Sequence, residues 1–290
     1  YILIPFIPQF FFFFLFILQV NIIIGIELIN KIIFMLFLGL IIGTILSSSD
    51  DKIFRFFQGI SPEWFWKKLR ERKIKRYDEL KKEIEELKTK RGSLTNEREK
   101  ENITNKIIKL SDELTLYPNS RSEIEATDLG NVIAEYETYP ENRYGMKYNI
   151  FLMRLWYVLP EEIRKDLRLK AATAEAMLYV SFIILTFSPL ILIKTSMIIN
   201  EIAFGVISST LCSYVLYNIF IILITCILLY ISIRFFYDIS VREQLFYGDY
   251  IKSAFDLYRV ALAKNMNLNL PSNSDEKDMW IEAGKQIYSR

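Results

Sequence analysis

Residues 176–193, AMLYVSFIILTFSPLILI, and residues 211–233, LCSYVLYNIFIILITCILLYISI, decide how this chain folds, because neither holds a charged side chain. A helix rising about 1.5 Å per residue needs roughly 18 to 20 such residues to cross a hydrocarbon layer of about 30 Å, and each stretch qualifies. Lys194 and Glu201 are the only charges between them. Residues 1–49 repeat the pattern, with only Glu27 and Lys31. One straight helix over that block would run about 73 Å, more than twice the layer, so a reversal is expected at Asn21, Glu27, Asn30 and Lys31. Crossings are then expected near 5–26, 31–48, 174–193 and 204–234, the second pair parting around Lys194 to Glu201, after Ser188-Pro189. The expected fold is all-α: a polytopic helical membrane protein with two transmembrane hairpins.

The remaining sequence is strongly polar. Of the 36 Lys and Arg residues, 26 fall in residues 50–173 and 8 in residues 234–290. Basic residues collect on the cytoplasmic side of membrane proteins, so both polar regions and both termini are expected in the cytoplasm, under the plasma (inner) membrane. The expected plan is a hairpin over 1–49, a cytoplasmic helical domain over 50–173, a hairpin over 174–234 and cytoplasmic C-terminal helices over 235–290.

Composition narrows the chemistry. The absence of histidine removes the commonest general base and a frequent metal ligand, so neither metal nor cofactor is expected. Cys212 and Cys226 lie about 21 Å apart along one helix and cannot pair within it. No phosphate loop, dinucleotide fingerprint, nucleophile elbow or calcium loop occurs, and no enzyme is expected.

Within 62–117, Tyr77, Leu80, Ile84 and Leu87, then Ile103, Ile107, Leu110, Leu114 and Tyr117, recur at three- and four-residue spacings. That is the seam of a coiled-coil hairpin, parting at Gly92-Ser93 with Thr95 expected to cap the second arm. Residues 52–76 hold nine basic and two acidic side chains. Trp64, Trp66, Lys67, Lys68, Arg70 and Arg72 are expected to meet anionic lipid headgroups, from an interfacial helix over 52–68. Each base contributes about 1 kcal/mol near such a surface. With lipid so near, no nucleic-acid partner is expected.

From Thr127 onward the sequence turns irregular. Asp128, Asn131, Glu137, Arg143, Asp249, Asp256 and Arg259 form the candidate cytoplasmic polar cluster, Arg143 offering its fork to Asp128, Glu135 or Glu137. Gly130 and Gly145 permit backbone conformations closed to other residues, and Pro140 is expected to fix a turn. Leu152, Leu155, Trp156 and Leu159 make an apolar helix face ended by Pro160, and Glu161 and Glu162 suit the start of the next helix. A loop over 265–274 precedes a short last helix with Trp280 and Ile287.

The runs Leu129-Gly130-Asn131, Tyr139-Pro140, Arg143-Tyr144-Gly145, Leu155-Trp156, Leu159-Pro160-Glu161-Glu162, Tyr247-Gly248-Asp249 and Ala254-Phe255-Asp256-Leu257-Tyr258-Arg259 carry a resemblance. Over roughly residues 117–262 the chain resembles a group of uncharacterised bacterial four-helix transmembrane proteins with a cytoplasmic helical insert. The resemblance implies four crossings around such an insert and no particular activity.

Thr210, Tyr214, Asn218, Thr225 and Ser232 fall within about 80° of arc at 100° per residue, a polar stripe on an apolar helix. Such a stripe either bonds neighbouring helices or, repeated in a homo-oligomer, lines a pore. The leading expectation is an oligomeric, channel-like membrane effector regulated through its cytoplasmic domain. The alternatives are a non-conducting scaffold that recruits a cytoplasmic protein partner through its arms and, third, a lipid-acting enzyme.

Overall fold

The computed structural model describes the backbone of residues 37, 43–44, 50–206, 211–271 and 275–288, with side chains outside 198–218 and 288. The expected hairpin over 1–49 therefore lies almost wholly outside the described residues. Among the described residues there are eight α-helices and no strand: α1 (Asp50–Phe57), α2 (Glu63–Ser93), α3 (Glu97–Leu114), α4 (Asp128–Tyr144), α5 (Tyr148–Val158), α6 (Glu161–Val206), α7 (Leu211–Asn265) and α8 (Glu276–Tyr288). The chain divides into two compact units, residues 1–50 with 172–240, and residues 51–171 with 241–290.

Among the described residues, α6 and α7 are the two helices long and apolar enough to cross a membrane. Ser181 Oγ donates to Ile233 O at 3.1 Å, and Ser240 Oγ donates to Ala174 O at 2.8 Å. Seven residues back along α6 correspond to seven forward along α7, so the helices run antiparallel. Small side chains at both contacts let a hydroxyl reach the neighbouring backbone. Leu178, Ile183 and Ile184 are buried, whereas Ile219, Phe220, Leu223, Leu228 and Ile231 are exposed. One expectation fails here: α6 stays helical through Lys194 and Glu201, so the chain does not reverse there. Residues 194–201 contain neither Gly nor Pro, and polarity alone does not end a helix.

The second unit has a core in which Phe151, Leu155, Leu167, Ile251, Phe255 and Trp280 are fully buried. Thr127 caps α4, accepting from Gly130 N at 3.1 Å and donating to Phe57 O at 2.7 Å. Gly130 is required by proximity rather than by backbone angle, since a Cβ there would sit 2.0 Å from Gln58 O. Pro140 lies inside α4 instead of making a turn. The turn falls at Gly145, whose φ of 74° is left-handed and whose N–H bonds Glu141 O at 2.9 Å.

The expected helix over 52–68 is two helices joined by an elbow. Gly59, at φ 79°, and Pro62, just before α2, separate α1 from α2. Beyond the elbow α2 and α3 pair side by side. Tyr77, Leu80, Tyr117 and Ile124 form a buried cluster at their base, with Leu110 and Leu114 packed against it. Arg76 clamps Glu113 through two bonds of 2.8 Å, and Lys106 meets Glu83 at 2.8 Å. The cap of α3 is Asn96, which accepts from Arg98 N at 3.1 Å, and not Thr95.

Candidate functional site

The second unit brings α4, α5, α7 and α8 together around one carboxylate. Asp256, on α7, accepts from Tyr139 Oη at 2.9 Å with each oxygen and from Tyr144 Oη at 2.7 Å, both on α4. Arg143 donates to Tyr139 Oη at 2.8 Å and reaches Asp256 only at 4.0 Å. One helical turn after Asp256, Arg259 covers the Tyr144 ring at 4.8 Å and donates to Glu276 of α8 at 2.9 Å. Glu276 Oε1 also accepts from Trp280 Nε1 at 3.3 Å. Trp280 in turn sits edge-on to Phe151 of α5, ring centres 5.2 Å apart. A continuous series of polar and aromatic contacts therefore links α7 to α4, α5 and α8.

The tyrosine hydroxyls of this arrangement are held protonated. Burial, then the bond to Asp256, pushes the Tyr144 hydroxyl up to about 12, and the same causes raise Tyr139. Asp256 accepts hydrogen bonds from two phenols at once, a clasp between α7 and α4.

Beside the clasp lies a groove of about 820 Å³ between α4, α5 and α8. Ile150, Phe151, Trp280 and Ile281 make its apolar wall; Lys147, Lys277, Glu123 and Glu141 line it with charge. Two glycines line it: a Cβ on Gly145 would meet Lys277 O at 2.7 Å, so α8 approaches closely there, and a Cβ on Gly284 would touch the Phe151 ring at 3.6 Å. Glu123 holds a buried carboxylate oxygen with no hydrogen-bond partner among the described residues.

Of the expected cytoplasmic cluster, the structure gathers Arg143, Asp256 and Arg259 and disperses the rest. Asp128 pairs with Lys73, and Asn131 accepts from Glu125 N at 2.7 Å, next to the elbow. Asp249 shares Lys252 with Glu135, each at 2.9 Å, and Glu137 is exposed. The fork of Arg143 thus goes to none of Asp128, Glu135 or Glu137, because the first two already hold lysines and Tyr139 lies one helical turn away.

Of the residues expected at lipid headgroups, Trp64, Lys67, Lys68 and Arg72 are exposed. Trp66 is half-buried and donates to Ser61 O at 3.2 Å. Arg70 departs from expectation: it donates to Ile124 O at 2.6 Å and Ser122 O at 3.1 Å, tying α2 to the chain before α4. In the polar stripe, Thr210 and the side chains of Tyr214 and Asn218 lie outside the described residues. Thr225 and Ser232 donate back to Ile221 O at 2.9 Å and Leu228 O at 2.8 Å within α7.

Sequence reasoning missed Tyr139, Glu276 and the whole groove. The Tyr139 and Tyr144 spacing was visible, but its acceptor is more than 110 residues away. Among the described residues, no group of three or more acidic or cysteine side chains is placed to hold a metal. Comparison with protein-family models, curated proteins and solved structures finds no match for this chain.

Proposed function

We propose that this chain is a multi-pass membrane effector, with four crossings, whose cytoplasmic helical domain takes a ligand or partner in the α4–α5–α8 groove and so controls the transmembrane helices. The observation that supports this reading is the series Phe151, Trp280, Glu276, Arg259, Asp256, which ties the groove wall to α7, the helix with the most apolar stretch. A ligand that binds the groove better in one arrangement of α8 biases α7 by that difference in affinity. The effector form we favour is a homo-oligomeric, channel-like pore in the plasma membrane. Copies of α7 would present Tyr214, Asn218 and their neighbours to one another.

Thr225 and Ser232 spend their hydroxyl protons inside α7, so selectivity in such a pore rests on Tyr214 and Asn218. A second reading, a non-conducting scaffold, draws support from the α2–α3 arms. Their seam is closed by Arg76–Glu113 and Lys106–Glu83, which leaves an extended charged surface for a protein partner. A lipid-acting enzyme draws no support from the Asp256 clasp.

The test uses the full chain. Native mass measurement in detergent should give one closed multimer, and the same protein in liposomes should release trapped ions. Gly284→Trp, which fills the groove beside Phe151, should change that release several-fold; Asn218→Leu should nearly abolish it. A monomer that releases nothing contradicts the pore. A stable co-purifying partner lost on substitution of the arm surface would then establish the scaffold.

A further inference from the structure

We propose that the elbow between α1 and α2 is a lipid-surface docking site that grips anionic headgroups. The inference requires that the apolar stretches lie in a bilayer, but not that the protein conducts. Three observations carry it. First, the structure separates six of the nine basic residues of 52–76 into two kinds of side chain. Arg70, Lys73 and Arg76 are tied internally, to Ile124 O, Asp128 and Glu113. Lys67, Lys68 and Arg72 are exposed and make no ion pair among the described residues. Internal folding therefore does not account for these three cations.

Second, large apolar groups stand beside them. Trp64 is 81% exposed, Phe65 47% and Leu69 38%, although a core of the same unit is close by to bury them. The rings pack on one another: Phe65 stacks on Phe56, sits edge-on to Trp66 at 4.7 Å and to Trp64 at 5.9 Å, and Trp66 donates to Ser61 O. An aromatic ledge that is packed within itself yet exposed has the composition of a membrane-interface belt.

Third, Trp64, Lys68 and Arg72 share a helix face. They recur every four residues, within about 80° of arc, with Phe65 and Leu69 at one edge of it and Lys67 about 60° beyond the other, where Glu71 is the one acid. Aromatic rings at the elbow and cations over the next two turns match the acyl boundary and the phosphate level of a leaflet. Glu63 and Glu71 are the only acids in residues 52–76, so an anionic surface is favoured over a neutral one.

The experiment places the full chain in nanodiscs and measures quenching of tryptophan emission by lipids brominated near the headgroup. Trp64→Phe supplies the baseline from Trp66, Trp156 and Trp280. In discs of phosphatidylglycerol mixed with phosphatidylcholine, the Trp64 component should be quenched at least twice as strongly as in phosphatidylcholine alone. The triple variant Lys67→Gln, Lys68→Gln, Arg72→Gln should erase that difference while leaving incorporation unchanged. Equal quenching in both lipids would overturn the headgroup grip, and no quenching in either would show the ledge covered by protein. Failure to incorporate into discs at all would instead overturn the membrane reading on which the inference rests.

Discussion

The two halves of α7 live by different rules. From Ile219 to Phe235 its large apolar side chains are exposed, and its hydroxyls bond back to the helix that carries them. From Gln244 to Leu262 it is fastened to other helices. Gln244 donates to Tyr136 Oη at 2.7 Å, Gly248 lies against the Tyr136 ring, Lys252 pairs with Glu135, and Asp256 takes two tyrosine hydroxyls. One half turns its Thr and Ser hydroxyls back on its own backbone, which suits an apolar surrounding. The other uses its polar groups to choose neighbours, as a helix in water does once its apolar face is buried.

Changes in the unit that holds the fastened half should cost most. Gly130→Ala puts a methyl group onto Gln58 O, with no flexible side chain to yield. Thermal unfolding in detergent should show a loss of about 3 kcal/mol or more, or no folded protein. Phe255→Ala should cost about 3–5 kcal/mol, and Leu228→Ala, in the exposed half, within about 0.5 kcal/mol. Comparable losses for these two would mean that the exposed half is packed against something of its own.

Asp256→Asn keeps the shape but turns a double acceptor into a partial donor, and should cost about 1–3 kcal/mol. The clasp also sets an alkaline limb. Tyr144 gives up its proton at about 12 in the folded chain, against an ordinary 10.0. The unfolded chain releases it first, so the stabilisation is complete below pH 10 and declines as pH climbs towards 12. Tyr144→Phe should therefore lose stability less steeply than the parent over that window; equal slopes would contradict the clasp.

A small effect, of the order of that at Leu228, is expected at the arms. Arg76 and Glu113 are both well exposed, so Arg76→Met should change stability by at most about 1 kcal/mol. Hydrogen bonding to Arg76 lowers the Glu113 carboxyl below its usual range. Its contribution is present above pH 4.5 and fades as the pH falls through that lowered value. Hydrogen exchange at the Leu110 and Leu114 amides would detect the loosening.

What the sequence disclosed followed from short-range physics. Uncharged runs marked α6 and α7, three- and four-residue spacing marked α2 and α3, and Pro160 followed by two glutamates marked the start of α6. What it hid was long-range or local geometry. Gly59 and Pro62 broke a helix that the aromatic-basic pattern continued, and Lys194 to Glu201 were polar yet helical. Pro140 signalled a turn but sits in α4, five residues before the left-handed Gly145. The site was half legible, because Arg143, Asp256 and Arg259 stood out by charge. Tyr139, Glu276 and the groove depend on α4, α7 and α8 meeting, which no local spacing encodes.

The central claim is that α6 and α7 carry their apolar stretches through lipid while the charged remainder stays in water on one side. Single cysteines at Leu228, Lys81 and Lys277, in a chain whose Cys212 and Cys226 are replaced by serine, test it in sealed vesicles with a membrane-impermeant maleimide. The account predicts that the cysteine at 228 stays unlabelled until the bilayer is dissolved, and that those at 81 and 277 react together from the same side. Ready labelling at 228, or labelling of 81 and 277 from opposite sides, would contradict it.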